Sequence, residues 1–493
     1  MNYLLCFIFG GLYTLSFSPY NISIFSILSL LFFLMLIDFD DFKSSVLKSL
    51  SFSLGYFLIG TYWLDNVIRN FSEINYALSI FLVFLFTLYL SLFFILPFII
   101  TIIINKNLKI KKNFLFIILA ILITLFEIIR SNIFTGYSWF NFGQAAIYTP
   151  LDHFFPIFGV HGLTFIIFLV SIIFLNILKN KDLGFFLILG VCLISVNLFV
   201  YDKNWTYKTG KDIKISVIQP NIYNKTNYSD NDVTSRMKIL KKLTTSSVTY
   251  SPDIILWPES PLPIVYNDLK NNFYKNILLE LPSSVSLITG SFFKDNKSIY
   301  NSIINITDPS SNIYNKKHLV PFGEYLPLRK LLSNFYNFFN LNIYDIQRGN
   351  NTNSLSINNF VAHSLICYES IFSFESLVRD KNVDFILNVS NDGWFGDSLA
   401  PYQHLDALIM RSLENQRYSI RSTNTGISAV INPDGTLVEY IDLNKNGIIN
   451  TKIYSMNGQT PLSIYGHDIL YFLFFIVFLY SSIYFNFKLF RRS

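Results

Sequence analysis

Charged residues and cysteines are scarce in this sequence. Asp, Glu, Lys and Arg together make up 14% of its 493 residues, whereas 52% are hydrophobic and the mean hydropathy is +0.41. This composition excludes an ordinary soluble protein and predicts a membrane protein. Of the three cysteines, Cys6 and Cys192 lie in apolar runs and Cys367 stands alone in a long polar stretch, so a disulfide within that stretch is excluded.

Histidines are also few, and the six present do not pair at metal-ligand spacing. We therefore expect no metal site and no cofactor. The net charge of +6 comes largely from lysines and arginines that flank the apolar runs, and no basic motif with interleaved aromatic residues is present. The sequence thus gives no reason to expect a nucleic-acid partner.

Eight apolar runs predict membrane-spanning helices, although several are shorter than the roughly 20 residues that cross the hydrocarbon core. The runs cover residues 2–18, 22–38, 48–64, 76–104, 114–131, 160–177, 184–201 and 468–487. They divide the chain into a predicted membrane domain of about seven helices, a polar domain, and a last helix with a basic tail. These three parts cover residues 1–201, 202–467 and 468–493.

The basic residues of the short loops predict how the helices are oriented, because cytoplasmic loops carry most Lys and Arg. With the N-terminus inside, the outer short loops hold only Arg69 and Arg130. The inner segments hold Lys43, Lys48, Lys106, Lys109, Lys111, Lys112, Lys179, Lys181, Lys488, Arg491 and Arg492. We therefore expect both termini in the cytoplasm and the polar domain outside, which is the periplasm for a bacterial inner membrane.

Strand-like runs alternate with amphipathic stretches in the polar domain. Strands are predicted at 213–219, 254–257, 286–290, 299–306, 361–367, 385–389 and 426–431, and helices at 232–249 and 404–416. This alternation favours an α/β layered domain over an all-β sandwich. Glu259 and Cys367 stand at strand ends, where a rigid sheet holds a side chain yet leaves it open to substrate.

Cys367, Glu259 and Lys316 together predict a covalent catalyst. A cysteine nucleophile needs a base to remove its proton and a donor to stabilise the oxyanion, and Glu259 and Lys316 supply them. Taken alone, the cysteine is read as a buried apolar residue and the other two as solvated charges. Their occurrence together in LWPES, YNKKHLVPFGEYLP and ICYES favours the catalytic interpretation.

These segments resemble the carbon-nitrogen hydrolase (nitrilase) superfamily and, within it, the apolipoprotein N-acyltransferase family. The resemblance covers nearly the whole chain through SFSPY (16–20), GTYWL (60–64), FTGYSWFNFGQ (134–144), SNDGWFGDS (390–398) and RSTNTGISAVINPDG (421–435). It implies a multi-span α-helical membrane domain, with about eight spans in all, and a nitrilase-like αββα sandwich outside the membrane.

The activity that the resemblance implies is a ping-pong acyl transfer. An acyl chain passes from a phospholipid, by resemblance phosphatidylethanolamine, to a Cys367 thioester. It then passes to the α-amino group of the N-terminal diacylglyceryl-cysteine of an apolipoprotein, the last step of lipoprotein maturation, without metal or nucleotide. Two other interpretations stay open: a membrane-tethered nitrilase-type amidase that acts on a small amide, and a carrier that only binds ligand.

By motif position, the resemblance assigns the base to Glu259, the oxyanion-stabilising cation to Lys316 and the nucleophile to Cys367. The adjacent Lys317 is the rival for the second role. Lys316 is chosen because the family pattern is a tyrosine, any residue and then the lysine. Tyr314 stands two residues before Lys316 and therefore matches that tyrosine.

Five further residues are implied to support the site. Glu324 is expected to support the tetrahedral intermediate or to orient the lysine. Tyr368 and Glu369 are expected to shape the acyl pocket and to hold the site. Trp394 and Phe395 are expected at the substrate entrance, the alternative being an ordinary turn with packed aromatic rings.

One segment departs from the family pattern. After IQPNI the family often places a Lys-Trp pair that belongs to a mobile lid, whereas this chain reads YNKTNYSD. Tyr223, Lys225 and Tyr228 are possible substitutes, and none of them is expected to be catalytic.

Glu127 and Arg130 lie at helical spacing in the fifth apolar run. Charges near the bilayer are costly enough to suggest a function. Snorkelling of the two side chains to the interface is the alternative, and it is favoured.

Overall fold

The computed structural model of the chain describes residues 1–71, 74–223, 228–310, 313–338 and 345–490. The chain divides into two compact units. The first comprises Met1–Asp65, Asn75–Lys203 and Pro461–Ser493, and the second comprises Asn66–Ile74 and Asn204–Thr460. A short segment from the apolar half thus belongs to the second unit. The domain boundaries drawn from the sequence stay a prediction.

Fifteen α-helices occur in the described residues. They are α1 (Asn2–Tyr13), α2 (Ile24–Leu36), α3 (Phe42–Thr61), α4 (Leu64–Phe71), α5 (Tyr76–Leu108), α6 (Lys112–Arg130), α7 (Phe155–Leu178), α8 (Leu183–Val200), α9 (Asp230–Ser247), α10 (Tyr266–Leu269), α11 (Lys275–Glu280), α12 (Ser333–Phe338), α13 (Ala400–Asn415), α14 (Pro461–Tyr465) and α15 (Asp468–Phe490). The helices α9 to α13 lie in the second unit.

Apolar helices make up most of the first unit. Among the described residues, four are long and apolar enough to cross a membrane: α5, α6, the stretch Asp152–Leu178 that contains α7, and α8. The apolar stretches Asn2–Ser16, Ile24–Leu36 and Asp468–Tyr484 are shorter. Each of the eight predicted runs overlaps a helix. These helices support a membrane domain, and the number of spans stays a prediction.

The charged pair of α6 is buried in the first unit. Glu127 is 5% exposed and Arg130 is 2% exposed. Glu127 Oε1 accepts from the Phe142 N–H over 2.8 Å, and Arg130 Nη2 donates to the Phe140 carbonyl and to Asn141 Oδ1 over 2.9 and 2.7 Å. The expectation that both side chains snorkel is therefore wrong, because they bind backbone and side-chain groups of the irregular segment after α6 instead of reaching solvent.

Twelve strands occur in the described residues of the second unit. They are β1 (Thr206–Gln219), β2 (Ile254–Leu256), β3 (Ser286–Asp295), β4 (Ser298–Asn305), β5 (Tyr314–Asn315), β6 (Ser354–Ile357), β7 (Phe360–Ile366), β8 (Phe385–Ser390), β9 (Ser419–Thr423), β10 (Ser428–Ile431), β11 (Leu437–Ile441) and β12 (Gly447–Gly458). The strand order is β12-β1-β2-β3-β4-β5 in one sheet and β11-β10-β9-β8-β7-β6 in the other. β1 to β3 run parallel, as do β7 to β9, and the other neighbours are antiparallel.

The two sheets pack face to face around one apolar core. Ile215 of β1 and Leu387 of β8 both lie in it. Successive strand residues point to opposite faces, so Ile255 of β2 packs on the outer side with Leu240 of α9. On the other sheet, Ser412 of α13 donates to β9 over 2.6 Å. The sequence-based prediction of a nitrilase-like αββα sandwich is confirmed for this unit.

Candidate active site

Cys367 stands where β7 turns into a 3-10 helix. β7 ends at Ile366, and Cys367 has a φ of +49°, a left-handed conformation that a residue with a Cβ rarely adopts. The Ile366 N–H donates to Glu369 Oε2 over 2.7 Å, and the Ser370 hydroxyl donates to the Cys367 carbonyl over 2.9 Å. Neighbouring side chains thus hold the thiol on a strained turn.

Glu259 is held against β3. A Cβ at Gly290 would lie 2.6 Å from Glu259 Cα, so only glycine allows this approach. The Gly290 N–H donates to the Pro258 carbonyl over 3.1 Å, and the Ser260 N–H donates to the Gly290 carbonyl over 3.2 Å. The Glu259 side chain is buried, and its carboxylate is close enough to the Cys367 thiol to raise the pKa of that thiol.

Lys316 directly follows β5 and is 1% exposed. Its Nζ lies 3.0 and 2.9 Å from the two carboxylate oxygens of Glu324 and 3.7 Å from Glu259 Oε1. The neighbouring Lys317 instead donates its Nζ to Asn353 Oδ1 over 2.5 Å. The structure therefore brings Lys316, and not its rival, to the carboxylates.

Asn301 of β4 joins these groups, and the sequence-based prediction did not include it. Its Nδ2 donates to Glu259 Oε1 over 2.7 Å and to Glu324 Oε1 over 2.8 Å. Its carbonyl accepts from the Lys316 N–H over 2.8 Å. An asparagine in the middle of a predicted strand was the signal that could have revealed it, because an amide that is buried there needs partners.

Burial and neighbouring charges decide the protonation of the three groups. Burial, with the Glu259 carboxylate, raises the pKa of the Cys367 thiol to about 12 although Lys316 opposes the rise. Burial also raises the pKa of Glu259, again against the effect of Lys316. Burial alone would lower the pKa of Lys316, but the Glu324 and Glu259 carboxylates outweigh it and raise that pKa. At rest the site therefore holds a thiol and an ammonium, and attack requires that Glu259 accept the thiol proton.

Glu369 ties the lysine loop to the nucleophile turn. Its Oε1 accepts from the Tyr314 hydroxyl over 2.8 Å, from the Lys317 N–H over 2.7 Å and from the His318 N–H over 3.2 Å. Its Oε2 accepts from the Ile366 N–H. The side chain is buried, and burial raises its pKa. Glu369 therefore links the loop that carries Lys316 to the turn that carries Cys367.

The three aromatic residues predicted near the site are partly buried. The ring of Tyr368 makes an edge contact with Phe372 at 5.0 Å between centroids. Trp394 and Phe395 end a 3-10 helix that begins at Asp392. The Trp394 carbonyl accepts from Asn70 Nδ2 over 3.2 Å, so a residue of α4 contacts this turn. Whether these rings line an entrance stays a prediction.

The structure describes two of the three predicted lid substitutes. Tyr223 is exposed, and the Tyr228 ring lies under the Arg236 guanidinium at 4.5 Å. Lys225 lies outside the described residues.

A buried polar group lies beside the thiol, and the sequence-based prediction did not include it. A carboxylate oxygen of Asp392, a ring nitrogen of His404 and Cys367 Sγ lie within 4.8 Å of one another. These are metal-ligand atom types. However, His404 Nε2 lies 3.0 Å from the Cys367 carbonyl and Nδ1 lies 2.9 Å from Asp392 Oδ1, so hydrogen bonds occupy both ring nitrogens. We therefore assign no metal to this group.

Asp392 is held by cationic and polar donors. Arg421 Nη2 donates to Asp392 Oδ2 over 2.8 Å, and the Ser390 hydroxyl donates to Oδ1 over 2.8 Å. Burial alone would raise the pKa of Asp392, but Arg421 and His404 hold it well below its usual range. Gly426 leaves room for this carboxylate, because a Cβ there would lie 2.4 Å from Asp392 Oδ2.

Two family models match the chain. The model described as apolipoprotein N-acyltransferase N-terminal domain matches residues 9–173, and the model described as carbon-nitrogen hydrolase matches residues 214–460.

Full-length relatives carry the same description. The apolipoprotein N-acyltransferase of Wigglesworthia glossinidia brevipalpis is 34% identical over 490 residues, which cover 96% of this chain and 96% of that protein. The apolipoprotein N-acyltransferase of Haemophilus influenzae is 33% identical over 489 residues, which cover 95% of this chain and 92% of that protein. Among solved structures, a CN-hydrolase superfamily protein from Xanthomonas campestris is 16% identical and covers 49% of this chain and 91% of its own, with a TM-score of 0.37.

Proposed function

Since the chain belongs to the apolipoprotein N-acyltransferase family, we propose that it acylates lipoproteins through a thioester on Cys367. Family membership and the apolar helices make it a bacterial membrane protein with acyltransferase activity. The acyl donor in the proposal is a phospholipid, with phosphatidylethanolamine as the expected head group. The acceptor is the α-amino group of the N-terminal diacylglyceryl-cysteine of an apolipoprotein.

The first half-reaction forms the thioester. Cys367 Sγ attacks the ester carbonyl of the phospholipid while its proton passes to the Glu259 carboxylate. The Lys316 ammonium stabilises the oxyanion of the tetrahedral intermediate. Collapse of the intermediate breaks the ester C–O bond, and the leaving lysophospholipid oxygen takes the proton from Glu259.

The second half-reaction passes the acyl chain to the lipoprotein. The neutral α-amino nitrogen attacks the thioester carbonyl, and Glu259 takes the proton that the nitrogen loses. Lys316 again stabilises the oxyanion. Collapse breaks the C–S bond, the thiolate recovers its proton from Glu259, and the product is an amide. Because lysophospholipid leaves before the amine reacts, the scheme is ping-pong.

The observation that carries this proposal is the buried cluster in which Glu259 Oε1 lies 3.7 Å from Lys316 Nζ and both groups act electrostatically on the Cys367 thiol. It brings the proposed nucleophile, base and cation together. Glu324 orients the lysine in this proposal, and Glu369 holds both loops. Tyr368, Trp394 and Phe395 are proposed to border the acyl pocket and its entrance.

The proposed location explains why transfer prevails over hydrolysis. We place the catalytic domain on the periplasmic side of the inner membrane, with both termini in the cytoplasm. Both substrates are then lipids confined to one bilayer, which raises their effective concentration at the site. An apolar acyl pocket would also exclude the water that competes for the thioester.

Intact-protein mass spectrometry after incubation with phosphatidylethanolamine vesicles tests the proposal. We expect a mass gain of one acyl chain that hydroxylamine removes, and that Cys367→Ala abolishes. Cys192→Ala is the matched control, because this exposed cysteine lies in α8, and it should retain the adduct. A folded enzyme that forms no adduct but hydrolyses a small soluble amide without lipid would instead support the membrane-tethered amidase.

A further inference from the structure

The ring of His318 connects the lysine loop to the segment that follows the nucleophile. His318 comes two residues after Lys316, and its ring stacks on Phe372 with the centroids 3.8 Å apart and 22° between the planes. It also meets the Tyr368 ring at 5.6 Å in an edge contact, and Tyr368 and Phe372 make an edge contact with each other. The three rings thus form one cluster between the two proposed catalytic segments.

Glu375 fixes the orientation of the His318 ring. The ring nitrogen Nδ1 lies 3.0 and 2.9 Å from the two carboxylate oxygens of Glu375. A carboxylate only accepts hydrogen bonds, so Nδ1 carries a hydrogen whether the ring is neutral or charged. The orientation of the ring therefore does not depend on the charge of the histidine.

Tyr368 is the member of this cluster that stands next to the proposed nucleophile. It directly follows Cys367, so the Cα atoms of the two residues are about 3.8 Å apart. Its side chain is partly buried, whereas Phe372 is buried. Edge contacts between aromatic rings are attractive beyond the area that they bury. The His318 and Phe372 rings therefore restrict the orientation of the Tyr368 ring.

We propose that His318 is a positioning residue that sets the acyl-chain preference of the enzyme by holding the Tyr368 ring in one orientation beside the acyl pocket. A fixed ring gives the pocket a fixed shape, and such a pocket distinguishes chains of different length. A ring that turns freely would accept these chains more evenly. The inference rests on the proposed acyl transfer, in which Tyr368 borders the acyl pocket.

The masses of the acyl-enzyme measure this preference. The enzyme is incubated with vesicles that contain equal amounts of dilauroyl, dipalmitoyl and distearoyl phosphatidylethanolamine. Intact-protein mass spectrometry then gives the ratio of the three Cys367 adducts, and we expect one of them to dominate in the wild type. Because all three adducts form on the same folded molecules, their ratio does not change in a variant that is merely less stable.

Substitutions of His318 separate the ring from its hydrogen bond. His318→Asn keeps an N–H donor for Glu375 but removes the ring. It should move the ratio about two- to tenfold toward equality, which is the factor that one aromatic pair corresponds to. His318→Phe keeps a ring and should retain the wild-type ratio. Tyr368→Ala should give the same ratio with and without His318→Asn, because His318 acts through the Tyr368 ring.

His153→Asn is the matched control. His153 Nε2 lies 3.4 Å from Asp152 Oδ1, and the His153 ring makes an edge contact with Tyr201 at 4.5 Å. This histidine therefore has the same two kinds of contact as His318, but it belongs to the first unit. Its variant should retain the wild-type ratio.

Three results would overturn the inference: an unchanged ratio in His318→Asn, a shifted ratio in His318→Phe, or a wild type that takes the three chains equally. Should His318→Asn not fold, Phe372→Leu removes the other ring of the stack, and an unchanged ratio in that variant also overturns the inference. If the wild type forms no adduct at all, the proposed acyl transfer itself fails. That result is distinct from an adduct whose ratio does not change.

Discussion

Asn301 donates a hydrogen bond to Glu259 over 2.7 Å, so a neutral residue of β4 holds the carboxylate that we propose as the catalytic base. This contact lowers the pKa of Glu259, whereas burial and the Glu324 carboxylate raise it. Together with Lys316, the amide thus favours the ionised, proton-accepting form of the base against burial and Glu324.

Replacing Asn301 by Ala should therefore move the acidic limb of the activity profile to higher pH. Without the amide the pKa of Glu259 rises further, and the ionised base is lost at a pH where the wild-type enzyme still has it. We expect thioester formation to fall about 10- to 100-fold near neutrality, as a charge-assisted hydrogen bond contributes about 1.5–3 kcal/mol. The check is the rate of thioester formation across pH.

Asn305→Ala provides the control for that measurement. Asn305 is a buried asparagine of the same strand, and its Oδ1 accepts from the Thr307 N–H over 3.2 Å, away from the site. Its variant should keep the wild-type pH profile. An Asn301→Ala profile with an unmoved acidic limb would show that the amide does not tune the base.

Lys316 and Lys317 should respond differently to substitution by Met. Lys316→Met leaves the buried Glu259 carboxylate and the partly buried Glu324 carboxylate without their cation, so we expect no detectable thioester and a loss of about 3–5 kcal/mol of unfolding free energy. Since Lys316 lowers the pKa of Glu259, the loss should be smaller at acidic pH, where the carboxylates bind protons. Lys317→Met should retain the thioester. Mass spectrometry measures the thioester, and denaturant unfolding measures the free energy of unfolding. If the two variants behave alike, the assignment of Lys316 as the oxyanion-stabilising cation is contradicted.

Glu369→Gln should weaken both the fold and the reaction. A glutamine offers one acceptor oxygen in place of two, so some N–H donors of the two loops lose their partner at about 1–3 kcal/mol each. Glu375→Gln is the control, because its carboxylate meets His318 Nδ1 at 2.9 Å with the Glu375 side chain 41% exposed. That surface pair should contribute less than about 1 kcal/mol to the free energy of unfolding. Of the two variants, only Glu369→Gln should lower the thermal unfolding temperature and the rate of thioester formation. If Glu369→Gln behaves like the wild type in both measurements, Glu369 does not have its proposed role.

His363 should make the protein less stable as the pH falls. Burial lowers its pKa from 6.5 to about 4 in the folded chain, so between these values the unfolded chain binds a proton that the folded chain does not. The stabilisation is full above pH 6.5 and is lost progressively as the pH falls toward 4, by about 3 kcal/mol in all. Unfolding free energies of wild type and His363→Gln should therefore converge on acidification. Parallel curves for the two proteins would contradict the prediction.

The strands that the sequence predicted are those with a clear apolar pattern. β8, with the sequence FILNVS, is buried along its whole length and was predicted at 385–389. β9, with the sequence SIRST, was not predicted because an arginine is unfavourable in a buried strand unless it is paired. The structure pairs Arg421 with Asp392, which the sequence does not reveal. β11 was missed because its residues are mostly exposed and show no alternation.

The sequence by itself determined the family, the apolar helices, the layered domain and the residue types of the proposed triad, because these depend on composition, local periodicity and short motifs. Only the tertiary structure decided that Lys316 and not Lys317 faces Glu259, that Glu127 and Arg130 are buried, and that Asn301 and His404 contact the site. The physical reason is that burial and electrostatic interaction depend on distances in space. The residues that set the burial and the electrostatic environment of Cys367 are far apart along the chain.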